Sequence, residues 1–251
     1  MSKYTFVMFS IFALYIKVKK TRLILDVISK ISIYRYTNCH VMTMPVPRNM
    51  WIQSAAQKLN IDFFTDDEVV SILKFIQDKY KNDRRRSDRH KRYYLLVKFL
   101  YRTGARIDET LILKPSDINL TTNTIRMKTL KQGKDWNGIR KEKFRMISVH
   151  PDLRDTYMQY LFEFNIPQKN EDLLFPMKRQ VVDLYFKKIQ DKLGIRVHAH
   201  KFRHTFAVKA IVDNVPLNVL QQWLGHSSIF TTSIYTQITG IDTSQFMERI
   251  R

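Results

Sequence analysis

The chain has 251 residues, enough for one large domain or two modest ones, and its hydrophobic content of 44% is ordinary for a protein with a folded core. Its formal net charge of +20 at pH 7 favours a polyanionic partner such as nucleic acid. Cys39 is the single cysteine, which excludes a disulfide within the chain and a zinc site built from several cysteines.

The N-terminal segment begins with an apolar run from Tyr4 to Ile16, which is followed by a basic stretch. The run is shorter than the roughly 20 residues that a membrane-spanning helix needs. No small-residue cleavage site follows it, and most of its flanking charge comes after it, which disfavours a signal peptide. We expect a buried or partner-binding helix, with attachment to a membrane surface and a segment that is not natively folded as alternatives.

Two prolines spaced by one residue, Pro45 and Pro47, predict a stiff, extended connector after this segment. We place the domain boundary between this connector and Phe64, with a linker near residues 45–62. The expected organisation is a short helical N-terminal segment over residues 1–62 and a second domain over residues 63–251.

Helical signals become clear from Phe64 onward. Thr65 and Glu68 have the spacing of a capping box, which predicts the start of a helix. The apolar stripe of this helix consists of Val69, Ile72, Leu73, Ile76 and Tyr80. A second stripe, ended by Gly104 in the expected C-cap position, consists of Tyr93, Leu96, Val97 and Leu100.

A β-hairpin is predicted next, because two alternating segments flank a long polar connection over residues 131–143. Their alternating residues are Ile125, Met127 and Thr129, and then Phe144, Met146 and Ser148. Further helices are predicted over residues 153–164, 182–193, 200–212 and 216–224, the last with Gly225 after its end. The predicted fold class is therefore mostly α with a small antiparallel β-sheet, an α+β domain after the N-terminal segment.

Two basic clusters accompany these elements. The first, between the first two helices, holds Lys79, Lys81, Arg84, Arg85, Arg86, Arg89, Lys91 and Arg92. The second, along the hairpin, holds Arg126, Lys128, Lys131, Lys134, Arg140, Lys141, Lys143 and Arg145. Either cluster can be a solvated face, but a basic hairpin tip is also suited to reach into a DNA groove.

Four short motifs carry the chemistry of the second domain. In chain order they are Gly104-Ala105-Arg106-Ile107-Asp108-Glu109, His200-Lys201-Phe202-Arg203-His204, Leu224-Gly225-His226, and Tyr235. Two arginines can clamp one phosphate, a phenol can attack its phosphorus, and histidines can move the protons. No carboxylate cluster suited to Mg²⁺ accompanies them, so the set predicts metal-free phosphoryl transfer to tyrosine.

In order and spacing, these motifs resemble those of the tyrosine recombinases of the phage integrase family, over about residues 64–240. The resemblance implies a tyrosine-recombinase-like catalytic domain that cuts and rejoins DNA through a 3′-phosphotyrosine link. It also implies an N-terminal helical domain that closes a clamp around DNA. Only 62 residues precede Phe63, so we expect residues 1–62 to form a reduced DNA-binding domain.

The expected catalytic residues are Arg106, Lys131, His200, Arg203, His226 and Tyr235. The two arginines would bind the non-bridging oxygens of the reacting phosphate, and Glu109 could orient Arg106. Tyr235 would be the nucleophile with His200 as its base, and His226 would hydrogen-bond the phosphate or share that role. The resemblance implies a general-acid lysine at the hairpin turn. We assign it to Lys131, with Lys128 and Lys134 as alternatives.

Two further histidines of this region, His198 and His204, are not among the expected catalytic residues. His204 is expected to be structural, His198 has no assigned role, and a metal site made from them is disfavoured because no acidic or cysteine ligand completes it. The expected partner is double-stranded DNA in the cytoplasm, bound by a homo-tetramer on two DNA sites. No metal, cofactor, small-molecule substrate or membrane is expected to take part. The alternative functions are DNA relaxation like that of a type IB topoisomerase, and a DNA-binding relic that does not cut.

Overall fold

The computed structural model describes residues 48–130 and 142–237, with the backbone alone for residues 48–51 and Arg84. All of these residues belong to the compact unit that covers residues 46–251. The N-terminal apolar run, Lys131, Lys134 and residues 238–251 lie outside the described residues. Among the described helices, none is both long and apolar enough to cross a membrane.

The described residues form a mostly helical domain with one small antiparallel sheet, which confirms the predicted fold class. The helices are α1 (Arg48–Lys58), α2 (Asp66–Asn82), α3 (Ser87–Thr103), α4 (Ile107–Leu111), α5 (Pro151–Glu163), α6 (Arg179–Leu193), α7 (Ala199–Val212), α8 (Leu217–Leu224) and α9 (Phe230–Ser233). The strands are β1 (Ile118–Asn119), β2 (Thr124–Thr129) and β3 (Lys143–Ser148). Single 3₁₀ turns cover Arg84–Arg86, Pro115–Asp117 and Ile234–Gln237.

The start of α2 has the predicted capping box. Thr65 Oγ1 accepts the backbone N–H of Glu68 at 3.2 Å, and Glu68 Oε2 accepts the backbone N–H of Thr65 at 2.9 Å. α2 then packs against α3 and contributes Val69, Ile72 and Ile76 to the main core. This local signal is reliable because both partners of the capping box lie within one helical turn.

Two helices that lead into the site end where the sequence predicted. Gly104 ends α3 and Gly225 ends α8, with φ of 60° and 65°. A side chain disfavours this left-handed conformation, so glycine lets the chain turn sharply at both places. Each turn leads directly into a predicted site residue, Arg106 after the first and His226 after the second.

The strands are ordered β1-β2-β3, and all pairs are antiparallel. In β3, the alternating residues Phe144 and Met146 are 41% and 54% exposed. Arg145 and Ile147 face the core instead. They pair with Met127 and Ile125 of β2, and directly paired residues lie on the same face of a sheet. Arg145 is therefore buried and is not available to contact DNA as part of the basic hairpin cluster.

Helix α1 lies in the stretch where the sequence predicts a linker, residues 45–62. Its buried residues Ile52 and Ala56 belong to a second apolar cluster that includes Ala207 and Leu220. The chain before Phe64 thus adds packed structure to the domain. The position of the domain boundary stays a prediction.

The first basic cluster lies around the C-terminus of α2 and the N-terminus of α3. Helix α3 has 17 residues, which corresponds to a length of about 25 Å. Its other end leads through Gly104 to Arg106. This cluster is therefore about one helix length away from the first arginine motif.

Candidate active site

The buried guanidinium of Arg203 joins two turns that carry other site residues. Arg203 is 2% exposed; its Nη1 donates to Gly104 O at 2.8 Å and its Nη2 donates to Leu224 O at 2.7 Å. Carbonyls at helix C-termini lack partners within their own helix, so a charged donor suits both. Burial, together with the nearby charge of Arg106, lowers the pKa of Arg203 to about 10, which leaves it charged at neutral pH.

Arg106 lies at the N-cap of α4 and is oriented by Glu109. Its Nη1 donates to Glu109 Oε1 at 3.1 Å, as the sequence analysis expected, and Glu109 is 1% exposed. Burial favours the neutral carboxyl, but hydrogen bonding and charge from Arg145, with the charge of Arg106, hold the pKa of Glu109 below its usual value. The carboxylate is therefore ionised and can fix the direction of Arg106.

Arg106, His200 and Arg203 line one cavity of about 140 Å³. Its wall also includes Arg179 at the start of α6, which is not among the predicted site residues. Arg179 Nη1 donates to Asp108 Oδ2 at 2.8 Å. In the sequence this residue is indistinguishable from any basic residue at a helix start. The lining thus holds three arginines and one carboxylate, Asp108, and this excess of positive charge is suited to hold a phosphate group.

The Tyr235 hydroxyl is held by His204. Tyr235 is 3% exposed, and its Oη lies 2.9 Å from His204 Nδ1. His200 is the base predicted from the sequence, whereas the imidazole that contacts the phenol in the structure is that of His204. The rings of His200 and His204 are stacked edge to face with centroids 4.4 Å apart. His204 thus contacts the phenol directly, and His200 packs against His204.

The protonation states at neutral pH follow from burial and from the nearby arginines. Partial burial and the charge of Arg203 lower the pKa of His200. Burial and the neighbouring His200 lower the pKa of His204 to about 4, and burial raises the pKa of Tyr235. At pH 7 the histidines are neutral and can accept a proton, while the phenol is protonated.

His226 follows the Gly225 turn and faces the same region. Its Nδ1 lies 2.8 Å from Thr232 Oγ1, which orients the ring. Burial and the charges of Arg203 and Arg106 lower the pKa of His226 to about 4. A neutral imidazole with one nitrogen occupied by a hydroxyl keeps the other nitrogen for a ligand.

The candidate lysines of the hairpin have different positions. Lys128 lies on β2 and forms an ion pair with Glu142 across the hairpin. Lys131 and Lys134 lie outside the described residues. Within residues 48–130 and 142–237, no group of three His, Cys, Asp or Glu side chains is arranged to hold a metal ion.

The stability of the fold is expected to decrease as the pH falls from 6.5 towards 4. The pKa of His204 and that of His226 are about 4 in the folded chain, against an ordinary value of 6.5. In this window the unfolded chain binds protons that the folded chain does not, so the free energy of unfolding falls with pH. Urea unfolding across the window measures it, and His204→Asn should flatten the curve. A stability that does not change between these pH values would contradict the prediction.

A comparison with protein families matches residues 62–240 to the phage integrase family. Among curated proteins, the chain is 31% identical over 186 residues to the tyrosine recombinase XerA of Pyrococcus furiosus, covering 74% of this chain and 60% of that protein. It is 30% identical over 155 residues to the tyrosine recombinase XerC of Oceanobacillus iheyensis, covering 57% and 48%. The chain thus spans about three fifths of the length of the XerA relatives from Pyrococcus and Thermococcus that it matches.

Solved structures of recombinases have a fold similar to that of this chain. A crystal structure of XerA recombinase superposes with a TM-score of 0.53 at 26% identity, covering 74% of this chain and 63% of the other. The XerH site-specific recombinase, bound to palindromic difH substrate in a post-cleavage complex, gives a TM-score of 0.55 at 27% identity, covering 78% and 54%.

Proposed function

This chain belongs to the phage integrase family of tyrosine recombinases, and from that premise we propose that it cuts and rejoins double-stranded DNA through a 3′-phosphotyrosine link. The observation that supports this most is the position of Arg203. It binds the turns that precede Arg106 and His226, and it lies one residue before the histidine that holds Tyr235. These contacts support a single site built from all four motifs.

In the proposed reaction, Arg106 and Arg203 bind the non-bridging oxygens of the scissile phosphate. Attack on phosphorus builds negative charge on these oxygens, and charges fixed in advance stabilise it without reorganisation. Glu109 keeps Arg106 directed at the phosphate, and His226 adds a hydrogen bond. Arg179 is a further candidate for contact with the DNA backbone because it lines the same cavity.

Tyr235 is the proposed nucleophile. Its Oη forms a bond to phosphorus while the bond from phosphorus to the 5′ oxygen breaks, and Lys131 gives that oxygen its proton. His200 takes the phenolic proton, either directly or through His204, which already contacts Oη. In the reverse direction a 5′ hydroxyl attacks the phosphotyrosine, which reseals the strand.

Double-stranded DNA is the proposed partner, in the cytoplasm. The net charge of +20 favours a polyanion, and the XerH relative was solved with its DNA substrate. Of the hairpin cluster, the exposed cations Arg126 and Lys143 remain candidates for backbone contacts, whereas Arg145 is buried.

The function is tested by trapping a covalent intermediate. Because the amino-acid sequence does not give the target site, the probe is a pool of end-labelled duplexes of random sequence, each with one nick near its centre. When the cut lies near the nick, the short fragment between the two positions carries the 5′ hydroxyl and diffuses away. The strand can then not be resealed, so the protein stays attached to the DNA. A covalent adduct on a denaturing gel supports the proposal, and sequencing of the attached DNA gives the preferred site. DNA binding without any adduct would favour a non-cutting protein. On unnicked duplexes that carry the selected site, cleavage and resealing without recombinant joints would favour DNA relaxation.

Lys131→Ala is expected to slow cleavage more than Lys128→Ala or Lys134→Ala. Only the general acid must reach the leaving 5′ oxygen, and loss of such a group costs about 10²- to 10⁴-fold. A bridging 5′-phosphorothiolate, whose sulfur leaves without a proton, should restore cleavage to the Lys131 variant. Single-turnover rates on both substrates measure this. Rescue of Lys134→Ala instead would move the assignment along the hairpin.

We also propose a tetramer on two DNA sites, because exchange of two duplexes needs four cuts and each chain has one Tyr235. Residues after Tyr235 include Ile241, Phe246, Met247 and Ile250, whose apolar spacing suits docking on a neighbouring copy. Deletion of residues 242–251 is expected to reduce recombination more than binding to a single site. Equal losses in both assays would indicate a helix that folds back on its own domain.

A further inference from the structure

Arg145 is a buried cation outside the set of residues that act on the phosphate. It lies on β3 opposite Met127, and only 7% of its side chain is exposed. A buried guanidinium is unfavourable unless its donors are paired. All three of its nitrogen positions have partners, and these partners lie on three different elements of the fold.

The first partner connects Arg145 to the phosphate-binding arginine. Nη2 of Arg145 donates to Glu109 Oε2 at 2.6 Å, and the other oxygen of Glu109 accepts from Arg106 at 3.1 Å. One carboxylate thus bridges two guanidiniums. With Arg145 in place, Glu109 has one orientation, and the orientation of Arg106 follows from it.

The other partners connect Arg145 to the hairpin and to the His226 turn. Nη1 donates to Thr129 Oγ1 at 3.1 Å, and Thr129 is the last residue of β2 before the segment that holds Lys131. Nε donates to Trp223 O at 2.8 Å, in the last turn of α8. The guanidinium also packs against Gly225, where a Cβ atom would lie 3.0 Å from Nη1. The turn that carries His226 is therefore in direct contact with Arg145.

We propose that Arg145 is a positioning residue for strand cleavage, which holds Arg106, the His226 turn and the end of β2 in one fixed arrangement. This inference rests on the proposed function. Of the groups proposed to act on the DNA, Arg106 lies at the N-cap of α4, His226 lies in the turn after α8, and the proton donor belongs to the hairpin. A planar fork with donors in three directions can set the relative positions of all three, whereas a lysine has one point of charge. Misplacement of reacting groups by about 1 Å can cost about 10²-fold in rate.

The test compares single-turnover cleavage by wild type, Arg145→Met and Arg145→Lys on the nicked duplex that wild type selects from the random pool. Arg145→Met is expected to lose about 10²-fold in rate at a temperature where both proteins are folded. Ile147→Val is the matched control, because it destabilises the same buried face of β3 without touching the guanidinium, and it should cut like wild type.

A second substrate separates positioning from general stability. A methylphosphonate at the scissile position removes the charge that Arg106 must neutralise, so the deficit of Arg145→Met should shrink on this substrate. A merely structural role would leave the deficit unchanged. If Arg145→Met does not fold, Arg145→Lys carries the test, because it keeps the charge beside Glu109 but cannot reach all three partners. It should therefore cut more slowly than wild type.

The outcomes are distinct. Wild-type rates in a folded Arg145→Met or Arg145→Lys variant, or an equal loss in Ile147→Val, would overturn the positioning role while leaving the proposed function intact. A wild-type protein that forms no adduct with any duplex of the pool would overturn the proposed function and this inference with it.

Discussion

Tyr235→Phe is expected to abolish the covalent protein–DNA adduct while the fold and DNA binding remain. The change removes one oxygen and keeps the ring, which packs in the second apolar cluster with Ala207, Val208 and Leu220. The hydrogen bond to His204 is lost, at a cost of about 1 kcal/mol in stability. The nucleophile is lost completely, because phenylalanine offers no atom that can attack phosphorus.

The assay is a denaturing gel with end-labelled nicked DNA. The matched control is Tyr157→Phe, which removes the hydroxyl of another buried tyrosine. The Oη of Tyr157 lies 3.5 Å from Pro115 O, and Tyr157 belongs to none of the four motifs. The control should form the adduct at the wild-type rate. An undiminished adduct with Tyr235→Phe would show that another residue attacks, and the site assignment around Tyr235 would have to be abandoned.

Arg203→Lys is expected to lower the cleavage rate by about 10²- to 10³-fold, the usual effect of removing one donor that stabilises transition-state charge. The variant keeps a positive charge, but a single ammonium cannot replace the guanidinium fork that binds Gly104 O and Leu224 O and faces the phosphate cavity. Each buried carbonyl left without a donor costs about 1–3 kcal/mol, so the free energy of unfolding should also fall.

Urea unfolding and single-turnover cleavage measure the two effects of Arg203→Lys separately. Arg154→Lys provides the control, because Arg154 lies on α5 and forms an ion pair with its sequence neighbour Asp155. Surface changes of this kind stay within about 0.5 kcal/mol. A stable Arg203→Lys variant that cuts at the wild-type rate would remove Arg203 from the proposed mechanism.

The sequence alone determined the local elements and the identity of the motifs. The capping box at Thr65 and Glu68, the stripes of α2 and α3, and the glycine ends at Gly104 and Gly225 all appear in the structure. These features depend on interactions within one or two helical turns, which a short window of sequence contains. The family followed from four motifs in a fixed order, and the comparison with protein families confirms it.

Only the tertiary structure decided which residues support the site. His204 and Tyr235 are 31 residues apart in the chain, Arg145 and Glu109 are 36 apart, and Arg203 and Gly104 are 99 apart. In β3 both alternating sets contain an apolar residue, so periodicity could not show that Arg145 and Ile147 face inward. The pairing of β3 with β2 decided that, because it places Arg145 beside Met127 on the buried face. A buried cation is stable only where the fold brings its acceptors together, and no sequence window contains all of them.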